Sequence, residues 1–262
     1  EPGKVTITGH TFQQIEPYFE CDYKGKVLTK SRTKVDMYVV LRIKPELSVH
    51  GEGLIPNSRF EEIKKLHHYS SIKYYKTEHH VMGILKKNLS PSLAYHSINH
   101  TKDVVKAVER IALLEGVTDE GLFLLKTAAI FHDAGFIEQY DHNESIGARM
   151  AQEILPKYGY TEQHVKTIVE LIHATQIPHK PINKLQEIIC DADLDYLGRD
   201  DFEEIADKLR QELTEMGKIN ARKEWDEIQV KFLNQHQYFT ATSISSRQMK
   251  KQENLERVIE RL

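Results

Sequence analysis

From residue 60 onward apolar positions recur at three- and four-residue intervals almost to the end of the chain. That periodicity predicts helices near 60–72, 75–88, 92–115, 118–132, 143–158, 161–174, 183–194, 200–216, 219–236 and 246–261. Pro91, Gly116, Gly135, Pro156, Pro178, Pro181 and Gly198 fall near the gaps. Residues 1 to about 45 have another texture: Val5 to Thr8 is β-branched and Val35 to Ile43 is strand-like, so with Glu20 to Leu28 they predict a hairpin. Between the two regions, 46–59 carries Gly51, Gly53, Pro56 and Asn57 with few apolar anchors and reads as a linker. The expected organisation is a β-containing segment at 1–45, a linker at 46–59 and a helical domain at 60–262. The fold class is mainly α, a helical bundle with a small β-containing N-terminal segment.

Three places interrupt the apolar pattern with ionisable side chains. Gly121 to Phe131 is apolar nearly all round, which predicts a buried helix, and it ends on His132-Asp133 before Gly135 releases the chain. An imidazole and a carboxylate in such surroundings are costly unless they are paired or bind a cation. His with Asp is a ligand pair suited to Zn, Mn, Fe or Mg. The dipeptide alone fits equally a helix-terminal histidine favoured by the helix dipole, followed by an aspartate opening the next turn. In the second place His96 and His100 are spaced i, i+4, so on one helix they project from one face. In the third, Asp191, Asp193 and Asp195 interrupt an apolar run, and Asp193 between Ala192 and Leu194 is hard to bury unpaired. Asp191 competes with Asp193 for any cation.

Composition narrows the partners. The 262 residues are 40% apolar, enough for a substantial core. Lys plus Arg number 36 against 39 Asp plus Glu, and a net charge of −3 gives no electrostatic case for a nucleic-acid polymer or an anionic membrane. No apolar run approaches the ~18–20 residues of a membrane span, so membrane insertion is not expected. Cys21 and Cys190 form no CxxC pair, which points to a reducing compartment, and the expected localisation is cytoplasmic. The start, Glu1-Pro2-Gly3-Lys4, is neither a signal peptide nor an initiator methionine and reads as the beginning of a fragment. No phosphate-binding glycine loop is present.

Taken together, Tyr95-His96 with His100 and Asp103-Val104, Phe131-His132-Asp133-Ala134-Gly135-Phe136 and Ala192-Asp193-Leu194 resemble the HD superfamily of metal-dependent phosphohydrolases, from about residue 75 to the C-terminus. The resemblance implies that His100, His132, Asp133 and Asp193 hold a divalent ion (Mn, Fe, Co, Zn or Mg). It implies His96 as the proton donor and Glu144 as a residue that orients or activates water. The implied activity is hydrolysis of a nucleotide-type phosphate ester or anhydride, with a cyclic-nucleotide phosphodiesterase as its sharpest form. Such an ion would lower the pKa of a water toward neutrality and polarise a phosphoryl oxygen. His142 and His173 are candidates for a second metal, but their spacing departs from that of binuclear members. Lys102 and Arg149 could meet phosphate charge. The C-terminal region shows no clear counterpart of the glutamine and aromatic clamp of animal phosphodiesterases, so cyclic-nucleotide specificity does not follow.

A second resemblance covers about 40 residues: Ile7-Thr8-Gly9-His10-Thr11-Phe12, Phe19 to Lys26 and Asp36 to Val40 look like the C-terminal end of a class III nucleotidyl cyclase. The family's catalytic residues lie upstream of this point, and only Lys30 is carried over, as a phosphate contact. The alternative function is accordingly a non-catalytic metal- or nucleotide-binding HD domain that regulates an upstream cyclase. The expected partner is a small nucleotide or phosphate ester, and the sequence leaves the oligomeric state open.

Overall fold

Alternating β-branched and aromatic residues near the start pair into a small sheet. The computed structural model describes residues 4–29, 34–117 and 119–262. It places β1 (Val5–Thr8), β2 (Phe19–Leu28) and β3 (Lys34–Ile43) in one antiparallel sheet of order β1-β3-β2. The β2–β3 pair is the expected hairpin, with register shifts at Glu20/Cys21 and Tyr23/Gly25. Helix α1 (Gly9–Ile15) starts on Thr8, whose side chain accepts the Thr11 N–H, and the Phe12 ring stacks on Tyr38 with centroids 3.9 Å apart. Lys30 lies outside the described residues.

The chain forms two compact units, Glu1–Tyr69 and Ser70–Leu262. Residues 46–59, read as a linker, belong to the first unit. Leu47 is buried with Tyr18, Ile43 and Phe60, and Ser48 bridges to Pro56. One apolar anchor, with Asn57 donating to the Glu46 and Ser48 carbonyls, is enough to order a stretch that its glycines and prolines mark as a loop. The division between the units falls inside α2 (Ser58–Asn88), a single helix where two were expected. Nothing at Lys73-Tyr74, the expected gap, interrupts it.

The second unit is mainly α. It contains α3 (Ile98–Leu114), α4 (Asp119–Phe131), α5 (Asn143–Ile154), α6 (Glu162–Ala174), α7 (Lys184–Asp193), α8 (Phe202–Glu215), α9 (Arg222–Gln235) and α10 (Ala241–Glu260). Two apolar cores form within it. The first gathers Val81, Val108, Leu125, Ile168 and Ile189 with their neighbours; the second gathers Tyr95, Leu197, Phe202, Trp225 and Val258. The stretch Gly121 to Phe131 is buried in the first core, as its apolar pattern predicts.

Two helix boundaries differ from expectation for visible reasons. Helix α3 begins at Ile98 and not near 92, because the amides of Tyr95 and His96 donate to the buried Glu212 carboxylate and need no helical partner. His96 therefore precedes the helix and does not share a face of it with His100. Helix α10 begins at Ala241 and not near 246. Thr240 caps it by accepting the Ser243 N–H, and the fully buried Asp191 accepts from Phe239 N, Thr240 N and Thr240 Oγ1.

The turn that carries His132 and Asp133 is held by close backbone approach. A Cβ on Gly135 would overlap the Asn143 carbonyl, and one on Gly147 would overlap the Phe131 carbonyl. Helix α5 thus packs directly on the segment leaving α4. Gly147→Ala is expected to lower stability by about 1–3 kcal/mol. Gly83→Ala on α2, where an added Cβ meets nothing within 4 Å, should raise it by about 0.5–1 kcal/mol. Urea unfolding of the two variants checks the opposite signs; equal shifts would refute the backbone-contact account.

Candidate metal centre

Four ionisable side chains converge inside the second unit. His100 comes from the first turn of α3, His132 and Asp133 from the turn after α4, and Asp193 from the last residue of α7. The Nε2 atoms of His100 and His132 stand 3.3 Å apart. Asp193 Oδ1 lies 3.1 Å from His100 and 3.3 Å from His132; Asp133 Oδ2 lies 3.3 Å and 3.1 Å from the same two nitrogens. His132 is fully buried, and its Nδ1–H donates to the Ala129 carbonyl at 2.8 Å. A carbonyl can only accept, so this bond fixes the tautomer and leaves Nε2 free as a donor atom to a metal.

Such spacing suits a cation. Ligand atoms about 2.1 Å from a shared ion stand roughly 3.0–3.4 Å from one another, and two imidazoles with carboxylates are an ordinary donor set for Zn, Mn, Fe or Co. Asp133 Oδ2 is buried without a hydrogen-bond partner, although two histidine nitrogens are near it. A buried carboxylate oxygen left so is costly, and an ion between it and the nitrogens removes the cost. The residues present therefore fit a divalent ion. His100, His132 and Asp193 each bring a donor atom within 4.8 Å of the others; Asp133 lies outside that mutual group but contacts both imidazoles.

The same groups set one another's protonation. Burial drives the His100 imidazole toward neutrality, but Asp133 and Asp193 outweigh it and hold its pKa up to about 9. His132 is likewise raised well above its ordinary value against the pull of burial, chiefly by Asp133. Burial opposes the carboxylate charges in turn, yet the histidines pull Asp133 and Asp193 below the usual carboxylate range. Without an ion, protons on the imidazoles balance the carboxylates.

Beside this cluster, His96 is held from two sides. Its ring stacks on Phe136 with centroids 3.9 Å apart, and its Nδ1 lies 2.5 Å from Glu212 Oε1. Glu212, on α8, is fully buried and also accepts the Tyr140 hydroxyl at 3.0 Å. Burial opposes its charge, but the bonds from His96 and the two backbone amides hold its pKa below the ordinary value. The His96 and His100 ring centroids are 6.2 Å apart, so His96 borders the cluster without joining it. A cavity of about 590 Å³ is lined by His96, Asp133 and Asp193, and Glu144 and His142 line it as well.

Other sequence candidates go elsewhere. Asp191 clamps the start of α10 and does not reach the cluster. His173 is exposed in the last turn of α6, and among the described residues the cluster includes neither it nor His142. Arg149 is exposed and paired with Glu138 and Glu153. Lys102 lines a separate cavity that borders His100 and Asp193. Glu212 was not among the sequence candidates. The only signal for it is a carboxylate on the apolar face of α8, between Leu209 and Leu213.

Residues 97–195 match the family model described as the HD domain, and this stretch of the chain is an HD domain. The match contains His100, His132, Asp133 and Asp193; it does not reach residues 1–45, where the cyclase resemblance lies. HD-domain proteins are generally metal-dependent phosphohydrolases. Among solved structures the chain is similar to Bacillus subtilis YpgQ in complex with ADP: 15% identity, 72% of this chain, 97% of that one and a TM-score of 0.50. It is also similar to a predicted HD superfamily hydrolase from an uncultured Thermotogales bacterium: 19% identity, 70% of this chain, 87% of that one and a TM-score of 0.46. At such identity the likeness to YpgQ is one of fold. No curated protein matches the chain. Among the described residues no helix is long and apolar enough to cross a membrane.

Asp133→Ala and Asp193→Ala are each expected to abolish stoichiometric metal measured by mass spectrometry, with wild-type apparent affinity rising with pH up to about 9 as protons leave His100. Asp191→Ala should keep its metal while its urea midpoint falls. Full occupancy in Asp133→Ala would sink the ligand assignment.

Proposed function

We propose that the second unit is a metal-dependent phosphohydrolase acting on a nucleotide-type phosphate ester, by attack of water and protonation of the leaving oxygen by His96. The observation that carries this reading is one cavity lined by two carboxylates of the His/Asp cluster and by an imidazole that a buried carboxylate holds in place. His100, His132, Asp133 and Asp193 would hold a divalent ion, which would supply Lewis acidity and lower the pKa of water toward neutrality. Glu212 accepts the Nδ1–H of His96, so the proton exchanged with substrate is the one on Nε2. Stacking on Phe136 and the anchoring of the His96 amide on the same carboxylate fix the ring's direction. Glu144, half-buried in the first turn of α5, is the further candidate for positioning water in this cavity. The ADP in the neighbour of like fold supports a nucleotide-type substrate. The proposal rests on the second unit alone and does not need the cyclase-like reading of residues 1–45.

The test is a screen of purified protein with Mn, Fe, Co, Zn and Mg against cyclic and linear nucleotides. His96→Ala should keep its metal and lose about 10²- to 10⁴-fold in turnover. The loss should shrink for nitrophenyl phosphodiesters, whose leaving groups need little protonation. Glu212→Gln should lose less than His96→Ala and retain metal. Nucleotide binding without turnover under any metal would replace the hydrolase with the regulatory reading.

A further inference from the structure

A cavity of about 640 Å³ lies between α3, the turn Asp195–Gly198 and α10, and none of His100, His132, Asp133 or Asp193 lines it. Its floor is a single carboxylate. Asp195 is 4% exposed and accepts from Arg110 Nη2 at 2.5 Å and from Arg247 Nε and Nη2 at 2.8 and 3.1 Å. Neither guanidinium meets another carboxylate among the described residues. Two half-buried cations therefore share one buried anion, and both keep N–H groups to spare. Arg110 uses only Nη2, and Arg247 Nη1 reaches only the Ser246 carbonyl at 3.5 Å. Lys106, one turn before Arg110 on the same face of α3, adds an exposed ammonium that has no ion pair among the described residues.

The carboxylates that could cancel this excess stand at the rim. Arg199 is matched by Asp103 and Asp201, and Lys250 by Asp200 and Glu253. The side chain of Asp103 is 38% exposed and that of Asp200 94%, with the other two between them, so water and salt screen these charges far more than those on the floor. The lining also lacks apolar surface: it contains no aromatic ring, and a nucleobase would find nothing to stack on. A Cβ on Gly198 would overlap the backbone of Arg247. Helix α10 thus packs directly on the turn, and this contact holds the Arg247 fork over Asp195.

We propose that this cavity binds a free, compact oligophosphate, pyrophosphate or tripolyphosphate, through Lys106, Arg110 and Arg247, apart from the His/Asp cluster. The buried Asp195 orients both guanidiniums before the ligand arrives, so their remaining N–H groups are set to grip phosphoryl oxygens. Several phosphoryl charges on one small ion match cations drawn from two helices, whereas a single phosphate reaches fewer of them. The site does not depend on the hydrolase reading of the second unit.

The test is calorimetric titration of the full chain, at constant ionic strength and in EDTA, with tripolyphosphate, pyrophosphate, phosphate and ATP. EDTA keeps metal off the His/Asp cluster, so an anion held by a metal there is not counted. Tripolyphosphate should saturate a single site and bind at least about tenfold more tightly than phosphate, and ATP should bind no more tightly than tripolyphosphate. Arg110→Gln removes one cation while Asp195 keeps Arg247. Ser246→Glu sets a carboxylate at an exposed position that lines this cavity and not its neighbour, and it preserves the test if Arg110→Gln does not fold. Each should weaken tripolyphosphate about 5- to 20-fold. Lys208→Glu, in the neighbouring cavity beside His100 and Asp193, should change it by less than about twofold. No binding of tripolyphosphate, wild-type affinity in Ser246→Glu, an equal loss in Lys208→Glu, or ATP binding more tightly than tripolyphosphate overturns the proposal. Turnover of nucleotides with metal is read separately. Oligophosphate binding without turnover sinks the hydrolase reading alone, and turnover without oligophosphate binding sinks this one alone.

Discussion

Two imidazoles and two carboxylates cannot share a dry interior unless a positive charge balances them, and the second unit is arranged around that balance. Each of the three segments that supply the cluster ends or begins a helix at the seam between the two apolar cores. Ending there spares each side chain the distance it would otherwise span. It also leaves backbone groups to be satisfied off the helices. The Ala129 carbonyl takes the His132 Nδ1–H, and the Glu212 carboxylate takes the amides of Tyr95 and His96. The polar chemistry of the centre and the hydrogen-bond needs of helix ends are met by the same contacts.

How much of this could be read from the sequence depended on how each residue broke its surroundings. His132 and Asp133 follow a segment apolar on every side, and Asp193 sits between Ala192 and Leu194, so a charge there had no solvated face to occupy. Asp191 breaks the same run, and only packing separates the two: residues two apart on a helix point about 200° from each other. One therefore faces the cluster, and the other faces the turn before α10. Glu212 stayed hidden because it sits in an amphipathic helix with many polar residues. A lone glutamate on the apolar face between Leu209 and Leu213 gives little away until Tyr95, His96 and Tyr140 are seen to donate to it.

In the first unit the hairpin was legible from its β-branched and aromatic runs. The order of residues 46–59 was not, since a single leucine supplies the anchor and glycine-rich composition dominates any local reading. Helix α2 was divided in expectation only because its apolar pattern is weak; no residue at 73–74 enforces a break. His96 shows a related limit. Its spacing to His100 fits a helix, but long-range hydrogen bonding removed it from that helix and placed it beside the His/Asp cluster.

The contact between His96 and Glu212 spans 116 residues of chain, whereas the four side chains of the His/Asp cluster all lie between positions 100 and 193. A chain emerging from the ribosome thus presents the whole His/Asp cluster shortly before Glu212 follows. An ion captured at that stage would organise the first core while His96 still lacks the carboxylate that aims it. In such an order a metal-binding step would precede the orientation of His96.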